Sequence, residues 1–345
     1  MRWETMVTQR DIARELGVAV STVSRSLSDV PGIPEVTKER VRQAAERLGY
    51  RRDAHAASLR TGRSGTISLV VGAIDNPFFA ELAHHVETQA NRLGLLLMIA
   101  NGQEDPAAQE RVALSMLEQR VDGMILVPVG PPTSGLQELV AQTPTVAVDR
   151  LLPGADIDSV LVDPREAVRE LAEHLRDAGY RRPAVISGPD AISTGAGRAR
   201  VVSEELEAAG WSGFPVLSCA HDASQAQEVA ERLLADCQPD VLICGGNVIT
   251  LGALRAMKRL GVDVGADVGV ATFDDLPWFD LMSPALTSIS NDIPRMAAET
   301  VRLLLQRIEN PDGAAQQVIH EASLSLREST GGPRPRIDAT RKGDI

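Results

Sequence analysis

The sequence of 345 residues predicts a small all-α head followed by a larger α/β body that has two lobes and parallel sheets. Residues 7–62 carry short amphipathic segments with helical spacing and no strand-like run. After Gly65, short apolar runs alternate with helical stretches, about four such units before residue 160 and about four after it. The predicted strands cover residues 67–71, 95–99, 124–127, 146–148, 160–162, 184–186, 241–244 and 268–271. Short buried strands separated by helices form parallel sheets that carry helices on both faces. Two similar sets of units therefore indicate two lobes with a cleft between them.

The first helix of the head is expected to begin after Thr8, whose hydroxyl can accept a hydrogen bond from a free amide at the helix start. Ile12, Ala13 and Leu16 follow on one apolar face. Gly17 then suits the tight turn between two crossing helices.

A second helix is predicted over residues 19–27, with Val23 and Leu27 on its inner face. Its outer face is small and polar and carries one arginine, which fits the major groove of DNA. That outer face consists of Val20, Ser21, Thr22, Ser24 and Arg25. A third helix, predicted over residues 37–48, has a basic outer face made of Lys38, Arg40, Arg42 and Arg47.

The charge of the chain is divided between the head and the body. Residues 1–65 contain 12 Lys and Arg against 8 Asp and Glu, a net charge of +4. The remaining residues contain 23 against 39, a net charge of −16, which gives −12 for the chain. A basic head on an acidic body is expected when only the head meets phosphate. The alternative is a small solvated helical bundle with ordinary surface charge.

The head resembles that of the LacI/GalR (lactose-repressor) family of bacterial transcriptional regulators, through the pattern TxxDIAxxxGVxxxTVSRxL, and the resemblance continues through nearly the whole chain. It implies a helix-turn-helix head, in which Val20 and Ser21 read base edges. It further implies contacts to phosphates and the groove, for which we take Thr8, Thr22, Ser24 and Arg25. The family usually has Ser where this chain has Ala19, and loss of such a helix cap costs about 0.5–2 kcal/mol.

Residues 53–60 resemble the hinge helix of that family, in which two helices pair in the minor groove and a leucine from each enters the central base step. Leu59 stands at the position of that leucine, and Ala56 belongs to the small residues that favour close pairing. A wedge of this kind kinks the duplex at a cost of a few kcal/mol. The alternative is that Leu59 is an apolar residue of a linker. The usual Asn at the start of this helix is Asp53 here.

The resemblance also implies a body like the periplasmic binding proteins, with an effector at the carboxyl ends of the strands. We expect a head over residues 1–52, a hinge helix and linker over 53–64, an effector-binding and dimerisation body over 65–330 and a flexible tail over 331–345. The first lobe is expected to contain about residues 65–160 and 292–315. The second lobe is expected to contain about residues 161–291 and 316–328.

Two loops of the first lobe supply candidate effector contacts. Asn76 can donate to a ligand hydroxyl, and of Phe78 and Phe79 we expect one to stack on the ligand and the other to pack in the core. Asp149 and Arg150 follow a predicted strand, and a carboxylate beside a guanidinium suits polyol recognition. The alternative for this pair is a salt-bridged strand end.

Three further candidates come from the second lobe and the return between lobes. Arg198 matches the family arginine that points into the cleft, with Arg200 as the neighbouring alternative, while the nearby glycines lack the third glycine of a dinucleotide loop. Asp274 resembles the effector-binding aspartate of the family, and Asn291 stands where members often have Gln. Many sugar-binding members carry Asn at the position of Gly246, and we expect the adjacent residue 247 to cap the following helix.

The remaining patterns point away from other classes of protein. The chain has no HExxH, GxSxG or P-loop pattern, the adjacent carboxylates of residues 274 and 275 should point apart, and we expect neither an enzyme nor a cofactor nor a metal site. The three cysteines lack metal-type spacing, so we expect reduced thiols that pack in the fold. The absence of an 18-residue apolar run and of a signal segment predicts a cytoplasmic protein with no membrane contact. Residues 1–5, before Met6, are either an extension or an upstream start.

Taken together, the residues and the resemblance predict a transcriptional regulator, a repressor, that binds a pseudo-palindromic operator of double-stranded DNA. The tail lacks leucine heptads, so we expect a homodimer and not a tetramer. A small polar effector, a sugar or a sugar derivative, would control it from the cleft. The alternatives are a cytoplasmic solute-binding protein without operator recognition and a regulator that answers to a nucleobase.

Overall fold

The computed structural model describes residues 7–27, 31–50 and 63–332. By its internal contacts the chain divides into two compact units, Met1–Ser64 and Gly65–Ile345. The expected hinge residues Asp53, Ala56 and Leu59 lie outside the described residues, as do residues 1–5 and all but the first two residues of the expected tail.

The described residues of the first unit form three helices around one small core. The Thr8 backbone amide and hydroxyl both donate to the Asp11 carboxylate, at 2.9 and 2.7 Å, and this closes the first turn. The first helix ends at Gly17, whose φ of 65° lies in the left-handed region that glycine adopts at little cost. The core contains fully buried Ile12 and Val23 and a valine of the third helix. The helices are α1 (Gln9–Leu16), α2 (Val20–Leu27) and α3 (Glu35–Leu48).

The second unit contains two six-stranded sheets, as the alternation of apolar runs and helices predicts. All strand pairs of the first sheet are parallel, in the order β11-β5-β4-β3-β1-β2. Its strands are β1 (Thr66–Val71), β2 (Leu96–Asn101), β3 (Gly123–Leu126), β4 (Thr145–Val148), β5 (Asp158–Asp163) and β11 (Gln317–Glu321).

The second sheet has the order β12-β10-β9-β8-β6-β7. It is parallel except at its edge, where β12 runs antiparallel to β10. Its strands are β6 (Pro183–Ser187), β7 (Val216–Ser218), β8 (Val241–Cys244), β9 (Gly269–Phe273), β10 (Thr287–Ser290) and β12 (Ser323–Ser325).

Helices cover the sheets of both lobes. The apolar faces of the helices pack on the strands and form separate cores, two in each lobe. The helices of the first lobe are α4 (Pro77–Arg92), α5 (Pro106–Glu118), α6 (Ser134–Gln142) and α11 (Ile293–Glu309), and those of the second are α7 (Arg165–Asp177), α8 (Ser193–Ala208), α9 (Ala223–Asp236) and α10 (Asn247–Leu260).

The division of residues between the lobes differs from the expected one in two places. The expected boundary at residue 160 falls inside β5, which belongs to the first sheet as a whole. Residues 317–321, expected in the second lobe, form β11 and pair with β5 in the first sheet. The reason is that α11 packs on the first sheet, so the chain emerges from it beside the open edge of β5. Only the segment from β12 onward joins the second lobe.

Within the described residues, no helix combines the length and the apolar character needed to cross a membrane. The same residues contain no group of three or more metal-ligating side chains.

Candidate functional site

The outer face of α2 presents the predicted base-reading residues. Val23 and Ser26 turn into the core, while Val20 is 41% exposed and Ser21 is also exposed. Thr22 and Ser24 are half-buried at the margins of this face, and Arg25 is exposed and donates to the Pro31 carbonyl at 3.1 Å. The inward and outward residues therefore alternate with the helical period that the sequence predicts.

The basic face expected on α3 is partly neutralised by acids of the same unit. Lys38, expected on the outer face, is only 9% exposed, and its ammonium lies 3.6 Å from the Glu35 carboxylate. Arg42 also pairs with Glu35, at 3.2 Å, and Arg47 lies 2.8 Å from an acid of α1. Lys38 lies close to the core because its aliphatic stem can pack there while its ammonium reaches an acid.

In the body, Asn76 lies at the cleft between the two lobes. It is the N-cap of α4, and its Oδ1 accepts from the Phe78 amide at 3.0 Å. The same oxygen accepts from Asn247 Nδ2 of the second lobe at 2.9 Å. One amide side chain thus caps a helix of the first lobe and bonds the opposite lobe.

Phe78 and Phe79 both pack in the core of the first lobe, 5% and 1% exposed, with their rings edge to face. Both residues nevertheless line the inner part of the cleft, and the expectation that one of them stacks on a ligand stays a prediction. Phe79 contributes in another way, because the Arg150 guanidinium lies over its ring at 5.1 Å from the centroid. The buried phenyl ring can hold the guanidinium flat against its face.

Arg150 makes a bidentate ion pair with Glu104, at 2.8 and 3.0 Å, and donates to the Pro128 carbonyl at 3.3 Å. Burial would raise the pKa of the Glu104 carboxyl, but hydrogen bonds from His221 and Arg150 lower it to about 2. The sequence did not identify Glu104, although it follows β2 as Asn76 follows β1. The predicted end of that strand, at residue 99, was two residues too early to reveal it.

Asp149 lies near charged side chains of both lobes. Its φ of 66° is in the left-handed region, and its side chain is almost fully buried. Burial raises the pKa of this carboxyl, and Asp274 adds to the effect, while Arg198 and Arg150 oppose it. Asp149 is therefore a buried carboxyl whose charged form is opposed by burial and supported by the arginines of both lobes.

In the second lobe, the Asp274 carboxylate is the centre of a small network. It accepts from the Asn247 amide at 3.2 Å, from the Asn247 side chain at 3.1 Å and from Arg198 at 3.4 Å. Arg198 also donates to the Gly245 carbonyl at 2.8 Å and lies over the Phe273 ring. Arg198, the preferred arginine, therefore faces the cleft, and it is held by contacts on three sides.

The neighbouring side chains have other partners. Arg200 is exposed and pairs with Glu204 at 3.2 Å, and it lines only the outer of two cavities along the cleft. Asp275 pairs with Arg327 at 2.7 Å, on the side away from Asp274, as adjacent carboxylates were expected to do.

Asn247 corrects one expectation. It does not cap α10 with its side chain; it is the first residue of that helix, and its amide group bonds Asp274 and Asn76. Gly246 precedes it with extended backbone that any residue adopts, and a Cβ there would lie 3.5 Å from the Asp274 carboxylate. A side chain at residue 246 would therefore reach the same network.

Two cavities lie along the cleft and share Asp149, Thr194 and Arg198. The inner one, between the residues described above, measures only about 20 Å³. The outer one measures about 270 Å³ and includes Asn291, beside the chain segments that cross between the lobes. Its wall also contains Leu151, Leu161, Ser193, Phe273 and Ile319.

His221, which belongs to no recognisable motif, reaches the first lobe from the loop after β7. Its Nδ1 lies 3.5 Å from an Arg150 nitrogen and 3.8 Å from a Glu104 oxygen. The position at a strand end was the only signal for it, and β7 itself is too short and exposed to have been predicted.

Comparison with known proteins identifies the family. Residues 8–53 match the bacterial regulatory proteins of the lacI family, and residues 172–330 match a periplasmic binding protein-like domain. The transcriptional regulator PtxS of Pseudomonas putida is 30% identical over 94% of this chain and 96% of its own length. The chain belongs to the lacI family. It is accordingly a DNA-binding transcriptional regulator, as predicted, and the lacI-family relative named here is a regulator and not an enzyme.

Solved structures of lacI-type regulators share its fold. The lac repressor dimer bound to operator and the anti-inducer ONPF is 23% identical, with a TM-score of 0.83 over 94% of this chain and 99% of that one. The complex of the transcriptional regulator CelR with cellobiose is 26% identical, with a TM-score of 0.70 over 94% of this chain and 99% of that one. The predicted fold class, a helical head and a two-lobed body with parallel sheets, is confirmed.

Proposed function

We propose that this lacI-family chain is a homodimeric repressor of a pseudo-palindromic operator, controlled by a sugar or sugar derivative bound between the two lobes of its body. The observation that carries the effector part is the convergence of polar side chains from both lobes. Asp149 and Arg150 come from one lobe, and Arg198, Asn247 and Asp274 come from the other. Carboxylate acceptors beside guanidinium donors are the groups that a polyol recognises.

The size and lining of the outer cavity favour a small ligand. A volume of about 270 Å³ is at the lower end of the range for small-molecule sites. Asp149, Arg198 and Asn291 offer polar contacts, while Leu161 and Ile319 supply an apolar side. A sugar ring presents both kinds of surface, and the sugar bound in the related CelR complex supports this class of ligand.

A ligand in the cleft would control the protein by replacing contacts that now join the two lobes. Several direct bonds now join the lobes, among them Asn76 to Asn247, and the Leu151 amide to the Ser193 hydroxyl at 2.8 Å. A ligand that exchanges these bonds for its own changes the balance between lobe arrangements only by its difference in affinity for them. We expect such a change to alter operator affinity.

Footprinting tests the proposal directly. The full chain is incubated with DNA from upstream of its own gene at about 0.15 M salt, where phosphate contacts are already screened. We expect a protected palindrome, and we expect one member of a panel of neutral sugars to change its occupancy. Absence of any protected palindrome would contradict the repressor, and an unchanged footprint with every sugar would contradict the effector class.

A further inference from the structure

His221 and the Arg150–Glu104 ion pair face each other across the cleft. The ion pair belongs wholly to the first lobe, since Glu104 follows β2 and Arg150 follows β4. His221 belongs to the second lobe, in the loop between β7 and α9, and is 13% exposed at its side chain. The imidazole therefore touches a charged pair that it can reach only while the lobes are close together.

We propose that His221 is a positioning residue that holds the two lobes closed by docking on the Arg150–Glu104 ion pair. The imidazole Nδ1 lies 3.5 Å from an Arg150 nitrogen, from which it accepts when it is unprotonated, and 3.8 Å from a Glu104 oxygen, with which it forms an ion pair when the ring is protonated. The consequence for operator binding rests on the proposed function, whereas the docking itself does not.

The surroundings of both partners of this contact are shaped to hold them. A Cβ at Gly188 would lie 2.6 Å from His221 Nε2, so glycine is needed where the ring packs against the second lobe. A Cβ at Gly72 would collide with the Glu104 carboxylate. Glu104 itself has a φ of 49°, and its neighbour Gln103 has a φ of 57°. Two successive residues with this strained backbone persist only where the surroundings require them.

The ion pair is arranged for a partner. Arg150 Nε is buried and makes no hydrogen bond, lying 3.6 Å from the Asp149 carboxylate. Its other two nitrogens are taken by Glu104 and Pro128, and His221 stands at the remaining side of the fork. The guanidinium that we assign to effector binding is therefore also the group on which the opposite lobe rests. The closed arrangement of the lobes and the proposed ligand contact therefore both depend on Arg150.

Hydrogen exchange of the full chain tests this contact without a ligand. The Leu151 amide bonds Ser193 across the cleft, so its exchange rate reports lobe closure. Replacement of His221 by Phe keeps a ring of similar size but removes the nitrogen, and we expect about threefold or faster exchange at residue 151 and around residue 247. Replacement of His221 by Asn keeps a donor and an acceptor, and we expect exchange near that of the wild type.

Two further variants make the outcome decisive. Glu104→Gln, on the opposite lobe, should accelerate the same segments, and the double variant should add little, because both changes break one contact. The control is His85→Phe, which removes a histidine that pairs with Glu81 at 4.0 Å within a single helix. Acceleration confined to residues 217–223, equal behaviour of the Phe and Asn variants, or additive effects would overturn the proposal. Operator footprints of the same preparations are read separately, so a failed repressor function would be distinguished from a failed contact.

Discussion

Asp149 and Asp274 occupy matching places in the two lobes. Each follows the carboxyl end of a strand, β4 in one lobe and β9 in the other, and each has a φ of 66°. This left-handed backbone is uncommon for a residue with a side chain and costs roughly 1–3 kcal/mol. Both carboxyls lie within the reach of Arg198. Strained residues of this kind collect at functional sites, so the pair marks the site from both sides.

Asp274→Ala is predicted to abolish the effector response and to leave operator binding intact. The carboxylate holds Arg198 and Asn247, and its removal frees both from their present geometry. The measurement compares operator titrations with and without the responding sugar. Asp275→Ala is the matched control, because it removes the adjacent carboxylate that pairs with Arg327 away from the cleft. A response that survives in the Asp274 variant would place the effector elsewhere.

Glu104→Gln is predicted to lower the free energy of unfolding in a pH-dependent way. The pKa of Glu104 in the folded chain is about 2, below its ordinary 4.5. The ionised carboxylate therefore stabilises the fold above pH 4.5, by at most about 3 kcal/mol, and this contribution disappears as the pH falls towards 2. Urea unfolding should show a large deficit for the variant at pH 7 and a smaller one at pH 3.5.

The control for that series is Glu138→Gln, which changes an exposed carboxylate on α6. A deficit at Glu104 that stays constant across the pH range would show that the lost charge is not the cause.

At the residue scale, the sequence indicates cleft side chains that follow a predicted strand or match a family residue, but not those whose role is set by a partner in another loop. Asn76, Asp149, Arg150, Arg198 and Asp274 line the inner cavity together. His221 and Asn247 also line it, and Glu104 holds Arg150 beside it. The roles of these three residues depend on partners in other loops or in the opposite lobe. No local pattern encodes such a pairing, because each member is set by the packing of a different element.

At the element scale, α2 separates two functions between two valines one turn apart. Val23 is fully buried in the core of the head, while Val20, at the first position of the helix, is 41% exposed. Val23→Ala is predicted to destabilise the head by roughly 1–3 kcal/mol, as for two methyl groups removed from a core.

Val20→Ala is predicted to leave the head folded and to weaken operator binding about tenfold, since contacts to base edges carry roughly 1–3 kcal/mol of discrimination. Circular dichroism melts and operator titrations of both variants separate the two roles. Equal losses of stability in the two variants, or unchanged operator affinity for the Val20 variant, would contradict the assignment of faces.

The same scale shows which elements a sequence can predict. Buried central strands such as β3, β4 and β8 are continuous apolar runs, and the sequence located them to within one residue. The edge strands β7 and β12 have only three residues each, β7 exposed throughout and β12 at most half-buried, so no long apolar run marks them. Strand β11 alternates exposed and buried residues and comes after a helix, and its pairing with β5 depends on where that helix packs.

At the scale of the whole molecule, three chain crossings join the lobes. The chain passes between the sheets after β5, after β10 and between β11 and β12. At one of them the Ala322 amide bonds the Asp163 carbonyl, so two of the crossings run side by side. Adjacent connections of this kind allow the lobes to move as rigid bodies about a common axis. The cleft contacts on the far side then decide whether the lobes stay closed.

The proposed dimer requires a surface on this two-lobed body, and the edge of the first sheet supplies one. Leu96 and Ile99 of the edge strand β2 are 63% and 46% exposed, and Leu114 of α5, which packs on that strand, is 51% exposed. An apolar sheet edge of this kind is a partner surface in soluble proteins. Leu96→Lys is predicted to shift the chain from dimer to monomer in sedimentation velocity. Operator affinity should fall with it by about 100-fold or more, because two linked heads bind a palindrome with a raised effective concentration.

Leu326→Lys is the control, since Leu326 is similarly exposed but follows β12, at one edge of the other sheet. It should leave both the sedimentation and the operator affinity unchanged. A Leu96 variant that stays dimeric would move the interface to another surface. A monomer that keeps full operator affinity would instead show that a single head suffices, and the pseudo-palindromic operator would have to be abandoned.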